Sequence, residues 1–286
     1  MQVREPLLGT RGEVAVVADV QSTAVSAELA AIAEVERLEA IFTVFDLSSS
    51  LHALRATGTT DVAELAEVCL LAEEWVERTS GVFHPGIEPL VELWNRAHET
   101  QVLPSEHDIE IALASIKTSQ TKHLNLNGVA KGWIADRALD VALATGDGAV
   151  SGAWLSLGGD LVHRGDGLVH VGIEDPHRPY DNVAPLASID ISNQALATSG
   201  TGRRYWTIKG NRYSKVLDPR TGRPTSGVAS ATVVANTAAT ADALATTAVV
   251  LSPDETLALI DDAGAECFLV LDDRSTVESS ARFKRV

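Results

Sequence analysis

Between Ser226 and Leu251 the chain carries a single formally charged residue, Asp242. A run this poor in charge has to be covered by the rest of the protein on most of its sides. Its first part, "SATVVAN" (230–236), is rich in β-branched residues and reads as a strand. Its second part (238–251) is dominated by Ala and reads as a helix of small residues. The run therefore holds a strand and the helix after it, and that helix carries a lone carboxylate whose presence calls for a reason.

The flanking sequence supplies the cover. "GEVAVVADV" (12–20) reads as a buried strand, and Val25, Leu29, Ile32, Val35, Leu38 and Phe42 then recur at helical spacing. After the polar break "DLSSS", Asp61 and Glu64 suggest a capping box for a helix that runs to about Thr79 and stops at Gly81. A third helix is expected over 104–116, behind Pro104 and Ser105. "HLNLNGVAKGWIADRALDVALATG" (123–146) reads as a short strand turning directly into a helix that ends at Gly146. Strand-like runs follow at "AWLSLGG", "GLVHVGIED" and "ASIDI", then a hairpin in "RRYWTIKGNRYSKVLDP" with Gly210 and Asn211 at its turn. An acidic helix from Pro253 to Gly264 precedes a last strand, "CFLVLD". With no repeat and no linker, one α+β domain over 1–286, helices against a largely antiparallel sheet, is the expected arrangement.

Charge narrows the partners. The 39 acidic residues outnumber the 23 basic ones and the net charge is -16, a field that repels nucleic acid and anionic lipid. No segment has the composition of a signal peptide or a membrane span, so a cytoplasmic location is expected unless a leader was removed. Cys69 and Cys267 belong to no metal-ligand pattern and read as buried thiols. The histidines show no metal-type spacing, and the five tryptophans read as core or sheet-face packing.

Two clusters could carry chemistry. Asp242 and Thr246 are four residues apart, so on a helix they share a face and their oxygens can reach one Mg2+. The same spacing suits a helix cap or a solvated face, and the pair alone does not decide. In "LNLNGVAKGWIAD", Asn127 and Gly128 leave backbone groups exposed where the helix begins. Lys131 in its first turn gains nothing from the helix dipole, which points to an anion facing it, although a solvated lysine satisfies the same sequence. "LATSGTGRRYW" and "SLGGDL" are Gly-rich turns that can bring backbone near a phosphate, and neither is a Walker A loop or a dinucleotide fingerprint.

Taken in order, "LLGTRGEV", "TVFDLSSSL", "TSGVFHPGIEPLVELW", "LNLNGVAKGWIAD", "LSLGGDL", "VGIEDP", "ATSGTGRRYW", "RYSKVLDPRTGRP" and "TVVANTAATADALATTAVVL" resemble the ApbE family of flavin transferases, which attach FMN from FAD to a Ser or Thr of a target protein. The resemblance implies a T-fold-like α+β domain with FAD as substrate in a deep cleft and Mg2+ on its pyrophosphate. It implies metal ligation by Asp242, Thr246 and the Gly128 carbonyl, and an FAD site that includes Leu8, Phe45, Val82, Phe83, His84, Asn125, Lys131 and Lys215. Leu8, Phe45, His84, Asn125 and Lys215 stand where the commonest family pattern has Met, Tyr, Asp, Asp and His. That His is the family's candidate for proton handling, so Lys215 joins Asp242 as a candidate catalytic residue, either as a base or as a fixed charge on a phosphate. Transfer to an acceptor protein carrying the Ser/Thr motif is the expected activity. Hydrolysis of FAD to FMN and AMP, or flavin or nucleotide binding without catalysis, are the alternatives.

Overall fold

The computed structural model describes residues 1–118, 121–180, 182–202 and 205–286. Its strands are β1 (Gln2–Leu7), β2 (Thr10–Ala18), β3 (Val150–Leu157), β4 (Asp160–Gly165), β5 (Val169–Ile173), β6 (Ala187–Ile191), β7 (Ala195–Gly200), β8 (Tyr205–Ile208), β9 (Asn211–Ser214), β10 (Leu217–Asp218), β11 (Arg223–Pro224), β12 (Val228–Ala235), β13 (Glu266–Leu271), β14 (Thr276–Glu278) and β15 (Lys284–Arg285). The helices are α1 (Gln21–Phe42), α2 (Ser50–Thr57), α3 (Ala63–Arg78), α4 (Glu88–Thr100), α5 (Glu106–Thr118), α6 (Ala130–Ala144), α7 (Ala238–Ala248) and α8 (Pro253–Asp262).

The nearly uncharged run forms the centre of the molecule. Every residue of β12 is buried, because the strand is paired on both edges and covered on both faces. It lies in an eight-stranded sheet of order β1-β2-β3-β4-β7-β12-β13-β14, antiparallel throughout. One face carries α1, α6 and α7, and Val14, Leu155, Ala197, Ala231 and Val233 share a single apolar cluster with Val35, Leu38, Leu139 and Leu244 from those helices. The opposite face is covered by the small sheet β15-β6-β5, through Ile189, Ile191, Phe268 and Phe283. A third cluster joins α4 and α5 to the hairpin β8–β9: the Trp94 and Trp206 rings stack with centroids 6.0 Å apart, and Trp94 Nε1 donates to the Gly222 carbonyl at 2.9 Å.

Local expectations fail where tertiary packing overrides pattern. Val25 and Leu29 of α1 are exposed, and Ala27, Glu28 and Ala31 take the buried stripe with Ile32, Val35, Leu38 and Phe42. The Asp61–Glu64 capping box does not form: Val62 is the N-cap of α3 and makes no side-chain cap bond. Two helices add to the expected set: α2, capped by Ser49, buries Leu51 and Leu54, and α4 buries Leu90, Trp94 and Ala97 at helical spacing. No strand precedes α6; residues 124–129 are a loop and turn entered from a 3-10 turn at Thr121–His123. The β8–β9 turn consists of Lys209 and Gly210, both at positive φ, rather than Gly210 and Asn211. Both cysteines are free thiols; Cys267 is buried, and burial pushes the half-buried Cys69 thiol up to about 11. Among the described residues no helix is long and apolar enough to cross a membrane.

Candidate functional site

α7 can approach α6 because the side chains between them are small. A β-carbon at Gly132 would lie 2.2 Å from the Ala238 carbonyl oxygen and 2.7 Å from the Ala239 nitrogen, so only glycine fits there. The closeness brings the two sequence clusters together. Asp242 is 4% exposed, and its Oδ2 accepts the Gly132 N–H at 3.2 Å. The flanking Ala130 and Trp133 N–H groups bond four residues back, to Leu126 and Val129. Gly132 stands in the first turn of α6, behind the Val129 N-cap, where an amide has no intrahelical acceptor, and Asp242 satisfies it.

Gly128 also lies against the other candidate donor. A β-carbon on it would sit 2.9 Å from the Phe83 ring and 3.6 Å from Thr246 Cγ2, so the Phe83 ring, the Gly128 backbone and Thr246 are in close contact. The Thr246 hydroxyl lies 3.4 Å from the Ser199 hydroxyl on β7. Asp242 lies one helical turn before Thr246, so a carboxylate, a hydroxyl and the Gly128 backbone gather at the α6–α7 junction.

The anion facing Lys131 is Asp160, the first residue of β4. Their side chains form an ion pair, and the Thr198 N–H also bonds the Asp160 carboxylate. Burial pushes Asp160 above the ordinary carboxylate range, and the Lys131 ammonium opposes that shift. Burial likewise pushes Asp242 up to about 7, against the pull of Lys131 and with a further push from Asp160. Among the described residues two buried carboxylates share the Lys131 ammonium, a local deficit of positive charge. An all-oxygen donor set with this deficit suits a hard divalent cation that keeps waters and takes substrate phosphates as further ligands. Among the described residues no group of three His, Cys, Asp or Glu side chains could hold a metal ion by itself.

Lys131→Met therefore leaves two buried carboxylates without their ammonium. Stability is expected to fall by about 3–5 kcal/mol at pH 8 and by less at pH 5, where Asp242, raised to about 7, retains its proton. Urea unfolding at the two pH values checks this; equal losses would mean that the carboxylates do not feel Lys131.

The other candidates are more dispersed. Val82 and Phe83 are buried, with Phe83 against Gly128. His84 is half-buried, its ordinary pKa lowered by burial, and its Nδ1 accepts the Gly86 N–H at 3.1 Å. Asn125 donates to Glu88 Oε2 at 2.9 Å and accepts the Asn127 N–H, which fixes the loop leading to Gly128. Leu8 has φ 53 in the β1–β2 turn and donates its N–H to Glu39 Oε2. Phe45 is 95% exposed in the loop between α1 and α2. Lys215 is exposed at the end of the hairpin, its ammonium 5.6 Å from the Trp206 ring centroid. Among the described residues, Leu8, Phe45 and Lys215 make no hydrogen bond or ring contact with the Asp242 cluster.

Sequence reasoning missed Asp160 and Asp136. Asp160 follows a Gly pair at the head of an apolar strand, a place where a carboxylate cannot reach solvent freely. Asp136 lies four residues after Gly132, on the stripe of α6 that touches α7, and its two oxygens receive the Ala238 and Ala239 N–H groups.

Known proteins resemble this chain in sequence and in fold. The ApbE family model matches residues 8–269. The FAD:protein FMN transferase of Escherichia coli K12 is 30% identical over 233 residues, covering 72% of this chain; the chain spans only 65% of that relative's length. The protein of the same name from Treponema pallidum is 26% identical over 246 residues, covering 74% of this chain and 67% of its own length. Among solved structures, the ApbE protein of Thermotoga maritima is 27% identical, with a TM-score of 0.83 and full coverage of both chains. The flavinyl transferase ApbE of Pseudomonas stutzeri, 22% identical, shares the fold with a TM-score of 0.78, covering 98% of this chain and 95% of its own.

Proposed function

The chain belongs to the ApbE family, and from that membership we propose that it transfers FMN from FAD to a Ser or Thr hydroxyl of an acceptor protein, with AMP as the leaving group. One observation carries the reading: on α7 Asp242, buried, accepts the Gly132 N–H from the first turn of α6, and Thr246 one turn on packs against Gly128.

In this reading Asp242, Thr246 and the Gly128 carbonyl hold Mg2+. When bound, Mg2+ would neutralise the pyrophosphate and stabilise the oxygen that departs with AMP. The residues do the rest. Lys131, paired with Asp160 and attracted by Asp242, stands where an incoming phosphate can share its ammonium. The Gly132 N–H keeps one Asp242 oxygen oriented and leaves the other for the cation. Phe83 covers Gly128 and excludes water from that side. Lys215, exposed with its ammonium 5.6 Å from the Trp206 ring centroid, would in this reading lend positive charge to a phosphate.

The test is incubation with FAD, MgCl2 and a peptide carrying the family's Ser/Thr acceptor motif. Covalent flavin fluorescence on the peptide is expected, with one AMP per labelled peptide. AMP without labelling would instead mean hydrolysis, and FAD binding without either product would mean a binding protein. In the same assay Lys215→His is expected to keep or raise transfer; a loss beyond about tenfold would show that this chain uses its lysine in a way of its own.

A further inference from the structure

Two helices here hold each other by an exchange of carboxylates. Asp136 on α6 accepts the N–H groups of Ala238 and Ala239, the first two residues of α7, each at 3.0 Å. Asp242 on α7 accepts the N–H of Gly132 in the first turn of α6, at 3.2 Å. Each helix offers an amide at one position and a carboxylate four residues later, Gly132 with Asp136 and Ala238 with Asp242, so the two pairs interlock. N-terminal amides lack an intrahelical acceptor and sit at the positive end of the helix dipole, so each anion is held where it is favoured.

The α7 end of the clasp is fully satisfied. Beyond the two bonds to Asp136, the Thr240 N–H goes to the Thr237 hydroxyl and the Ala241 N–H to the Thr237 carbonyl. Arg164 on β4 braces Asp136 from the sheet side, with Nη2 3.3 Å from its Oδ1 and 2.8 Å from the Asn236 carbonyl. The Gly132 contact leaves no slack between the helices. The proposed metal donors are divided across this junction: the Gly128 carbonyl lies just before α6, whereas Asp242 and Thr246 lie on α7. Their mutual placement is therefore set where the helices are joined.

We propose that Asp136 is a positioning residue that fixes α7 against α6 and so sets the Mg2+ affinity of a site it does not touch; this rests on the transferase reading given above. Mg2+ demands near-ideal octahedral geometry at about 2.0–2.1 Å, so a small slide of α7 separates donors that must lie about 3 Å apart. Loss of a residue that orients metal ligands typically costs about 10–100-fold in affinity.

The experiment is calorimetric titration of Mg2+ into metal-free protein, with and without FAD, for wild type, Asp136→Asn, Asp136→Ser and Arg164→Gln, beside thermal melts of each. The asparagine keeps the size of Asp136 and only one acceptor, and serves should the serine variant fold poorly. Both are expected to raise the Mg2+ Kd about 10–100-fold, whereas Arg164→Gln, which leaves the two amide bonds in place, is expected to raise it less than threefold. High Mg2+ should restore flavin transfer to Asp136→Asn and fail to restore it to Asp242→Asn. An unchanged Mg2+ Kd in folded Asp136→Asn, with only a lower melting temperature, would overturn the proposal and leave Asp136 a purely structural cap. Wild-type protein that binds no Mg2+ even with FAD would overturn the metal reading itself, and this inference with it, an outcome visible before any variant is made.

Discussion

Asp242→Asn is expected to abolish flavin transfer while making the metal-free protein more stable at pH 8. Activity should fall at least about 100-fold, since removing a ligand costs no less than removing a residue that merely orients one. The stability gain follows from the sign of the carboxylate's shift. Burial raises Asp242 to about 7 in the folded protein, whereas the unfolded chain titrates near 4. Below about pH 4 the group is protonated in both states and contributes nothing. As pH rises from there to about 7, the unfolded chain gives up the proton and the folded one retains it, so folding stability declines. Above that range the penalty is complete. The asparagine carries no such penalty, keeps an oxygen for the Gly132 N–H, and is expected to gain on the order of 1–3 kcal/mol at pH 8 and little at pH 4. Urea unfolding in EDTA at both pH values decides it. A variant less stable than wild type at pH 8 would show that attraction to Lys131 outweighs the burial of the charge.

Gly132→Ala is the second large effect. Its methyl would meet main-chain atoms of Ala238 and Ala239, which cannot rotate away as a side chain can. The helices must part or the variant must unfold, and either outcome breaks the Gly132–Asp242 bond and the two bonds to Asp136 together. A loss of about 3 kcal/mol or more is expected, roughly 6 °C or more in Tm, with transfer reduced over tenfold in whatever remains folded. Thermal melts and the peptide-labelling assay check it. Wild-type behaviour in both would mean that the helices are less tightly apposed than the geometry indicates.

The uneven legibility of the sequence has a physical reason. The buried run and its carboxylate were readable because a charge amid small apolar residues violates the ordinary distribution, and a violation of that kind needs a cause. The misplaced Lys131 was readable for the same reason, as a cation at the wrong end of a helix dipole. Its partner was not, because Asp160 lies on a strand beyond the whole of α6 and looks in sequence like part of a Gly-rich turn. α4 carried a legible signal, Leu90, Trp94 and Ala97 at helical spacing behind Pro89, masked by the turn-like residues Pro85 and Gly86 just before it. Val25 and Leu29 illustrate the reverse error: their spacing suits a core face, but the close approach of α1 to its neighbours is made by Ala27 and Ala31. Periodicity records which residues are apolar, whereas close helix packing is decided by which are small.

The order of strands in the large sheet has a consequence for the protein's birth. β2 emerges from the ribosome with one edge paired to β1 and the other awaiting β3, and residues 19–149 must be made before that partner exists. At about 5–20 residues per second, the wait is on the order of ten seconds. Throughout it a hairpin with an open edge, carrying Val14, Val16 and Val17 on β2, is available to any passing strand, which makes this interval the time when a chaperone would matter most.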